Sequence, residues 1–200
     1  MKILVYAFKK FDKLNTNPSA EVGKIIYDSL KGKNGINIRL EIFSVDYGFE
    51  RNLEKVILEF EPYFILGLGA SKRNKITVES IALNVIHEPR GDEKGKIFTN
   101  KKIISGADAI KTKFNCEMLV NHLKKLDIPC DLSFFAGTYI CNNAYFRCLK
   151  LVSDKNLNSK TVFVHVPLSP KEVNTLGIDA PSFPPTLIGN ALADFLETYK

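Results

Sequence analysis

Short apolar runs and helix-spaced apolar positions alternate along the chain. KILVYAF, residues 2–8, is apolar at nearly every position, the pattern of a strand buried on both faces of a parallel sheet. Asn17-Pro18-Ser19 then opens a helix. Asn caps free N–H groups there, and Pro is tolerated in a first turn, where its missing donor costs nothing. Val22, Ile25, Ile26 and Leu30 follow at helical spacing. INIRLEIFSV (36–45) alternates apolar and polar residues as a strand does, and Leu53, Val56, Ile57 and Phe60 mark a second helix that stops near Pro62. YFILGLG (63–69) predicts another central strand, and residues 76–86 are strand-rich but irregular.

Residues 87–112 carry turn residues and charges without periodicity and predict a loop. Cys116 to Leu126 reads as a helix broken by Pro129, and CDLSFFAG (130–137) as a strand ending in a small-residue turn. Residues 139–151 read as a helix, TVFVHVP (161–167) as a strand, and PTLIGNALADFLETY as a final amphipathic helix. Strand–helix alternation of this kind predicts an α/β fold, an α/β/α sandwich around a mostly parallel twisted sheet. With no repeats and no linker-like segment, residues 1–200 are expected to form a single domain.

Composition narrows the classes. No window approaches eighteen apolar residues, and the first apolar run is too short for a secretory leader; a cytoplasmic location is expected. The formal charge is +6, but the lysines are spread out, with no basic run interleaved with aromatics. A solvated surface is expected rather than a nucleic-acid face. Cys116, Cys130, Cys141 and Cys148 form no C-x-x-C pair, and His87, His122 and His165 are scattered. A structural zinc site is therefore not expected, and each thiol is by default a small buried hydrophobe.

One thiol stands apart. In sheets of this class, functional groups collect at the carboxyl ends of strands. Cys141 follows a strand and a turn and falls in the first turn of a helix, where the dipole and unpaired N–H groups favour a thiolate and would hold an oxyanion. His165, at the end of its strand, would serve as the base. Glu79, a carboxylate in an otherwise apolar stretch, needs a buried partner and would orient the imidazole. On the residues alone, Cys141 is either this nucleophile or an ordinary core thiol.

At these positions the chain resembles the pyroglutamyl peptidase I family of cysteine peptidases, also called pyrrolidone-carboxylate peptidases, nearly end to end. The family's G-F-x-P-F and N-P-S correspond to AFKKF and to Asn17-Pro18-Ser19; its E-R-x-A-x-N corresponds to ESIALN from Glu79. Its S-N-x-A-G-x-Y-x-C-N corresponds to SFFAGTYICN from Ser133, and H-V-P stands intact from His165. The resemblance implies removal of an N-terminal pyroglutamyl residue from a peptide, with Cys141 as nucleophile, His165 as base and Glu79 as its partner. It implies substrate contacts from Phe8, Phe11, Asn17, Tyr139, Ile140 and Arg90, and a homo-oligomer, commonly a tetramer. The departures are Ala7 and Lys10 in the first motif, Ser80 after the glutamate, and Phe134 for asparagine. The loop G-x-A-x-G-R reads GLGASKR, with Gly69 where a glutamine is common, and Pro89 stands where the family has an arginine, with Arg90 beside it. Two other functions remain open: an amidase of the same fold acting on a different small cyclic or N-acyl amide, and a non-catalytic binding protein.

Overall fold

The computed structural model describes residues 1–10 and 16–199; Phe11 lies outside them. Six strands build the central sheet. They are β1 (Lys2–Phe8), β2 (Asn37–Phe43), β3 (Phe64–Ala70), β4 (Ile76–Glu79), β9 (Cys130–Ser133) and β10 (Lys160–Val166), in the order β2-β1-β3-β10-β4-β9. Neighbours pair in parallel except β10 with β4, which are antiparallel. The chain leaves β3, turns back over a short loop, and returns as β4 in the opposite direction, leaving a gap that β10 fills. That gap sets β10 between β4, whose Thr77 and Glu79 stand opposite it, and β3, whose Gly67 and Gly69 pair with it on the other side.

Helices cover both faces, as the strand–helix alternation predicts. On one side Ile3, Val5, Leu66 and Val164 pack against α1 (Pro18–Leu30), α3 (Cys116–Lys125) and α6 (Pro185–Thr198). On the other, Leu4, Tyr6, Ile65 and Phe163 pack against α2 (Glu50–Phe60) and α4 (Ile140–Asp154). Successive strand residues point to opposite faces, so a continuous apolar run such as KILVYAF feeds both cores.

Helix α1 starts where the N-P-S stretch predicts. The Asn17 Oδ1 accepts from the Ser19 backbone N–H at 3.0 Å and from its hydroxyl at 2.8 Å. Its Nδ2 donates to the Lys9 carbonyl at 2.9 Å. Asn17 thus ties the helix start to the end of β1. Asn17→Ala is expected to lower stability by about 1–2 kcal/mol; an unchanged denaturant midpoint in chemical unfolding would contradict the cap.

Residues 87–112 are not a plain loop. They contain β7 (Phe98–Lys101) and β8 (Ala109–Lys111), while β5 (Ile81–Leu83) and β6 (Ile86–Glu88) continue from β4. β5 pairs with β8 and β6 with β7, both antiparallel. β7 and β8 are short and their residues largely exposed, so no alternation marks them; partners distant in sequence supply their order. Asn84 holds the unit: its Oδ1 accepts from the Ile103 and Ile104 amides, and its Nδ2 donates to the Ile104 and Ala107 carbonyls. Two further differences are local. β9 stops at Ser133, short of Phe134 and Phe135, which are exposed. A short helix, α5 (Pro170–Leu176), capped by Ser169, follows β10. No helix among the described residues is long and apolar enough to cross a membrane.

Candidate active site

Sheet register brings Glu79 and His165 together. Across the antiparallel pair, Glu79 stands opposite Phe163, and Thr77 opposite His165. Opposed residues share a face, as do residues two apart on one strand, so Glu79 lies diagonal to His165 on the α4 side. The His165 Nδ1 is 2.8 Å from the Glu79 Oε1. Glu79 is fully buried and His165 nearly so. Burial alone would raise the Glu79 carboxyl, but hydrogen bonding and charge from His165, with Ser133 and Arg73, bring it below the ordinary carboxylate value. An ionised Glu79 can only accept. The proton of this pair therefore sits on Nδ1, and Nε2 is the basic nitrogen.

On the other side of β10, His165 stands in register with Gly69 of β3, and Phe163 with Gly67. The two glycines leave a trough on this face, and α4 lies over it. A Cβ on Gly69 would fall 2.7 Å from the Cys141 Sγ and 3.0 Å from ring carbons of Phe163. The thiol therefore rests against the strand residue paired with His165.

The turn before α4 is fixed from both sides. Gly137 takes φ +85°, a conformation that suits glycine. Thr138 donates its hydroxyl to the His87 carbonyl at 3.0 Å and accepts at its own carbonyl from the His87 amide, also at 3.0 Å. Tyr139 is the N-cap residue and Ile140 opens the helix, so Cys141 is in the first turn. Asn142 pins that turn to β5: its Oδ1 accepts from the Leu83 amide at 2.8 Å, and its Nδ2 donates to the Leu83 carbonyl at 2.8 Å and the Val85 carbonyl at 3.1 Å. The asparagine after the cysteine thus aims the helix that carries the thiol.

The thiol's electrostatics differ from the expectation of a stabilised thiolate. Burial, with the nearby charge of Glu79, pushes the Cys141 thiol up to about 12; its own backbone amide and Arg73 act downward but are outweighed. Desolvation disfavours the charged form more than a helix terminus favours it. In the unliganded protein Cys141 is a neutral thiol, and it requires a base. Burial also holds Cys148 and Cys116 near 12, so pKa does not separate the cysteines. Access does: Cys116, Cys130 and Cys148 are buried, whereas Cys141 is partly open.

The remaining candidates fall around this centre in different ways. Phe8 is buried at the end of β1, edge-on to Tyr6 and Phe49 with centroids 6.3 and 5.8 Å away. Tyr139 is half-buried, with its ring 6.1 Å from that of Tyr47; Ile140 is buried. Asn17 is engaged in capping α1. The Arg90 guanidinium holds both oxygens of Glu88, at 2.9 and 3.1 Å, with its side chain 83% exposed. Among the described residues, no group of three or more His, Cys, Asp or Glu is arranged to hold a metal.

One residue of the site was given no part by the sequence reading. Arg73, on the loop between β3 and β4, places Nη1 2.5 Å from the Glu79 Oε1 and Nη2 2.7 Å from the Phe135 carbonyl. The signal was present: a buried carboxylate needs a partner, and Arg73 is the cation six residues before Glu79, across one tight turn.

The profile of the pyroglutamyl peptidase family matches residues 1–198. A pyrrolidone-carboxylate peptidase from a Thermoanaerobacter species is 36% identical over 176 residues, covering 86% of this chain and 85% of that protein. Pyrrolidone-carboxylate peptidase 2 from Caldanaerobacter subterraneus is 33% identical, covering 95% and 90%. Among solved structures, pyrrolidone carboxyl peptidase from Fervidobacterium islandicum superposes with a TM-score of 0.91 at 28% identity, covering 98% of this chain and 97% of that one. The enzyme from Thermococcus litoralis gives 0.89 at 26% identity, covering 100% and 96%.

Proposed function

The chain belongs to the pyroglutamyl peptidase family, and from that premise we infer a cysteine exopeptidase that removes the N-terminal pyroglutamyl residue of a peptide with Cys141, His165 and Glu79 as its reacting set. The observation that carries this assignment is one row of the sheet face: a His165–Glu79 pair at 2.8 Å beside Gly69, against which the Cys141 thiol rests.

The chemistry follows from the protonation states. The His165 Nε2 takes the thiol proton as Sγ attacks the carbonyl carbon joining the lactam residue to the next amino group. The oxyanion faces the first-turn amides of α4, which have no carbonyl four residues earlier in the helix to bond. The C–N bond then breaks, the amine leaves with the proton from His165, and a thioester remains on Sγ. Water, deprotonated by the same imidazole, releases pyroglutamic acid and restores the thiol. Glu79 stays ionised throughout and stabilises the imidazolium when it forms. No step calls for a metal or an organic cofactor.

The same reading takes residues 1–200 as one domain, a homo-oligomer as the resemblance implies, and a reducing cytoplasmic setting, consistent with the free state of Cys116, Cys130, Cys141 and Cys148. Hydrolysis of a pyroglutamyl anilide, with the prolyl anilide as control, tests it. Cleavage of the first and not the second is expected; no turnover anywhere between about pH 5 and 9, the range in which an imidazole base works, would overturn it.

A further inference from the structure

The Glu79 Oε1 is crowded and its Oε2 is bare. Oε1 faces the His165 Nδ1 at 2.8 Å, the Thr77 hydroxyl at 2.9 Å and the Arg73 Nη1 at 2.5 Å. Oε2 is buried with no hydrogen-bond partner among the described residues. A carboxylate gripped on one oxygen keeps its orientation only as long as the donors on that oxygen stay in place. Thr77 and Ser133, which also acts on this carboxylate, are neutral, and His165 is the group to be oriented. Among the described residues, Arg73 is the fixed positive charge in contact with the carboxylate.

The guanidinium also reaches elsewhere. Its Nη2 donates to the Phe135 carbonyl at 2.7 Å, and Nη1 lies 3.4 Å from the Ser133 hydroxyl and within reach of Thr77. Phe135 belongs to the segment between β9 and α4, whose far end delivers Cys141. One rigid, planar cation thus joins the carboxylate behind the imidazole to the segment in front of the thiol. A lysine, with a single point of charge, would not span both.

We propose that Arg73 is a positioning residue: it locks the Glu79 carboxylate toward His165 and ties the β9–α4 segment to it, so that thiol and imidazole keep one relative geometry. This inference rests on the reading of Cys141, His165 and Glu79 as the reacting set. The other groups facing Glu79 leave Arg73 this part. Tyr145 and Cys116, from α4 and α3, meet its backbone carbonyl rather than its carboxylate, at 2.8 and 3.7 Å. Cys141 is a neutral thiol, and His165 is the group being held.

The test uses Arg73→Met and Arg73→Lys in the full-length protein, with two readouts. The first is turnover of a pyroglutamyl anilide. Arg73→Met is expected to lower kcat on the order of 10-fold with little change in KM, because alignment rather than affinity is lost; Arg73→Lys is expected to fall between Arg73→Met and the parent. The second is the carboxyl titration of Glu79 by carbon-13 NMR, assigned through Glu79→Gln. In Arg73→Met its midpoint is expected to move to higher pH, since burial still raises it while one opposing charge is gone. A kcat within about twofold of the parent, less than the loss expected from misalignment, would overturn the proposal, and so would an unmoved Glu79 midpoint. The NMR readout needs no substrate. A parent protein that fails to cleave the anilide would remove the peptidase reading, and the titration would still decide whether Arg73 controls the carboxylate.

Discussion

Cys141→Ala is expected to reduce kcat on a pyroglutamyl anilide by about 10⁴-fold or more while leaving the fold intact. Loss of a nucleophile that works with a base costs nearly as much as loss of the whole set, because its members act as a unit. The fold should survive because Cys141 is partly open to solvent, and alanine is well suited to a helix's first turn. Circular dichroism and the unfolding midpoint check that point. Cys148→Ala gives the contrast: Cys148 lies two turns further along the same face of α4, fully buried against the Tyr6 hydroxyl, and its loss is expected to lower stability rather than turnover. Alkylation separates the two thiols without any substrate. Cys141 is expected to react with iodoacetamide at a rate that climbs with pH beyond 9, as a thiol held near 12 requires, and Cys148 only on unfolding. Substantial turnover in Cys141→Ala would remove the assigned nucleophile.

The frame of the site was legible before its geometry. β1, β3 and β10 announce themselves because strands buried on both faces must be apolar throughout, and α1 because its Asn-Pro-Ser start has a local capping logic. Glu79 stood out for a related reason, since a carboxylate within such a run needs a partner. Properties set by distant neighbours were not legible. The short strands of residues 87–112 take their order from Asn84 and from pairing across the chain, and neither leaves a periodic trace. The Cys141 thiol was expected to fall in pKa on its helix position, yet burial and Glu79 raise it; a dipole is local and readable, while desolvation is tertiary. Arg73 was visible as part of a loop motif, but its role depends on the turn that lays it back over Glu79. Asn142 is similar: it follows the cysteine in sequence, and only the packing of α4 on β5 shows that it aims the helix.

Gly69→Ala is expected to cost on the order of 100-fold in rate, although it adds one methyl to a strand. The added Cβ would stand 2.7 Å from the Cys141 Sγ and 3.0 Å from Phe163 ring carbons, and the ring has no room to yield. Phe163 is fully buried between Tyr6 and Tyr145, with ring centroids 6.1 and 5.7 Å away, and its other edge faces His165 at 5.0 Å. Cys141 is held by a helix start that Asn142 pins to β5. The cheapest relief is a rotation of the thiol away from the strand, and with it away from the row that holds His165. A displacement of about 1 Å at a reacting atom costs on the order of 100-fold in rate, and overpacking a core face costs about 1–3 kcal/mol in stability. The two effects are separable: kcat/KM is expected to fall by about a hundredfold or more at temperatures where the variant remains folded. Cys141→Ala in the same background should restore most of the lost stability, since it removes the atom that the new methyl meets. If Gly69→Ala keeps the parent's turnover, the thiol does not act from its position against β3, and the close approach of Cys141 to this strand is a packing feature alone.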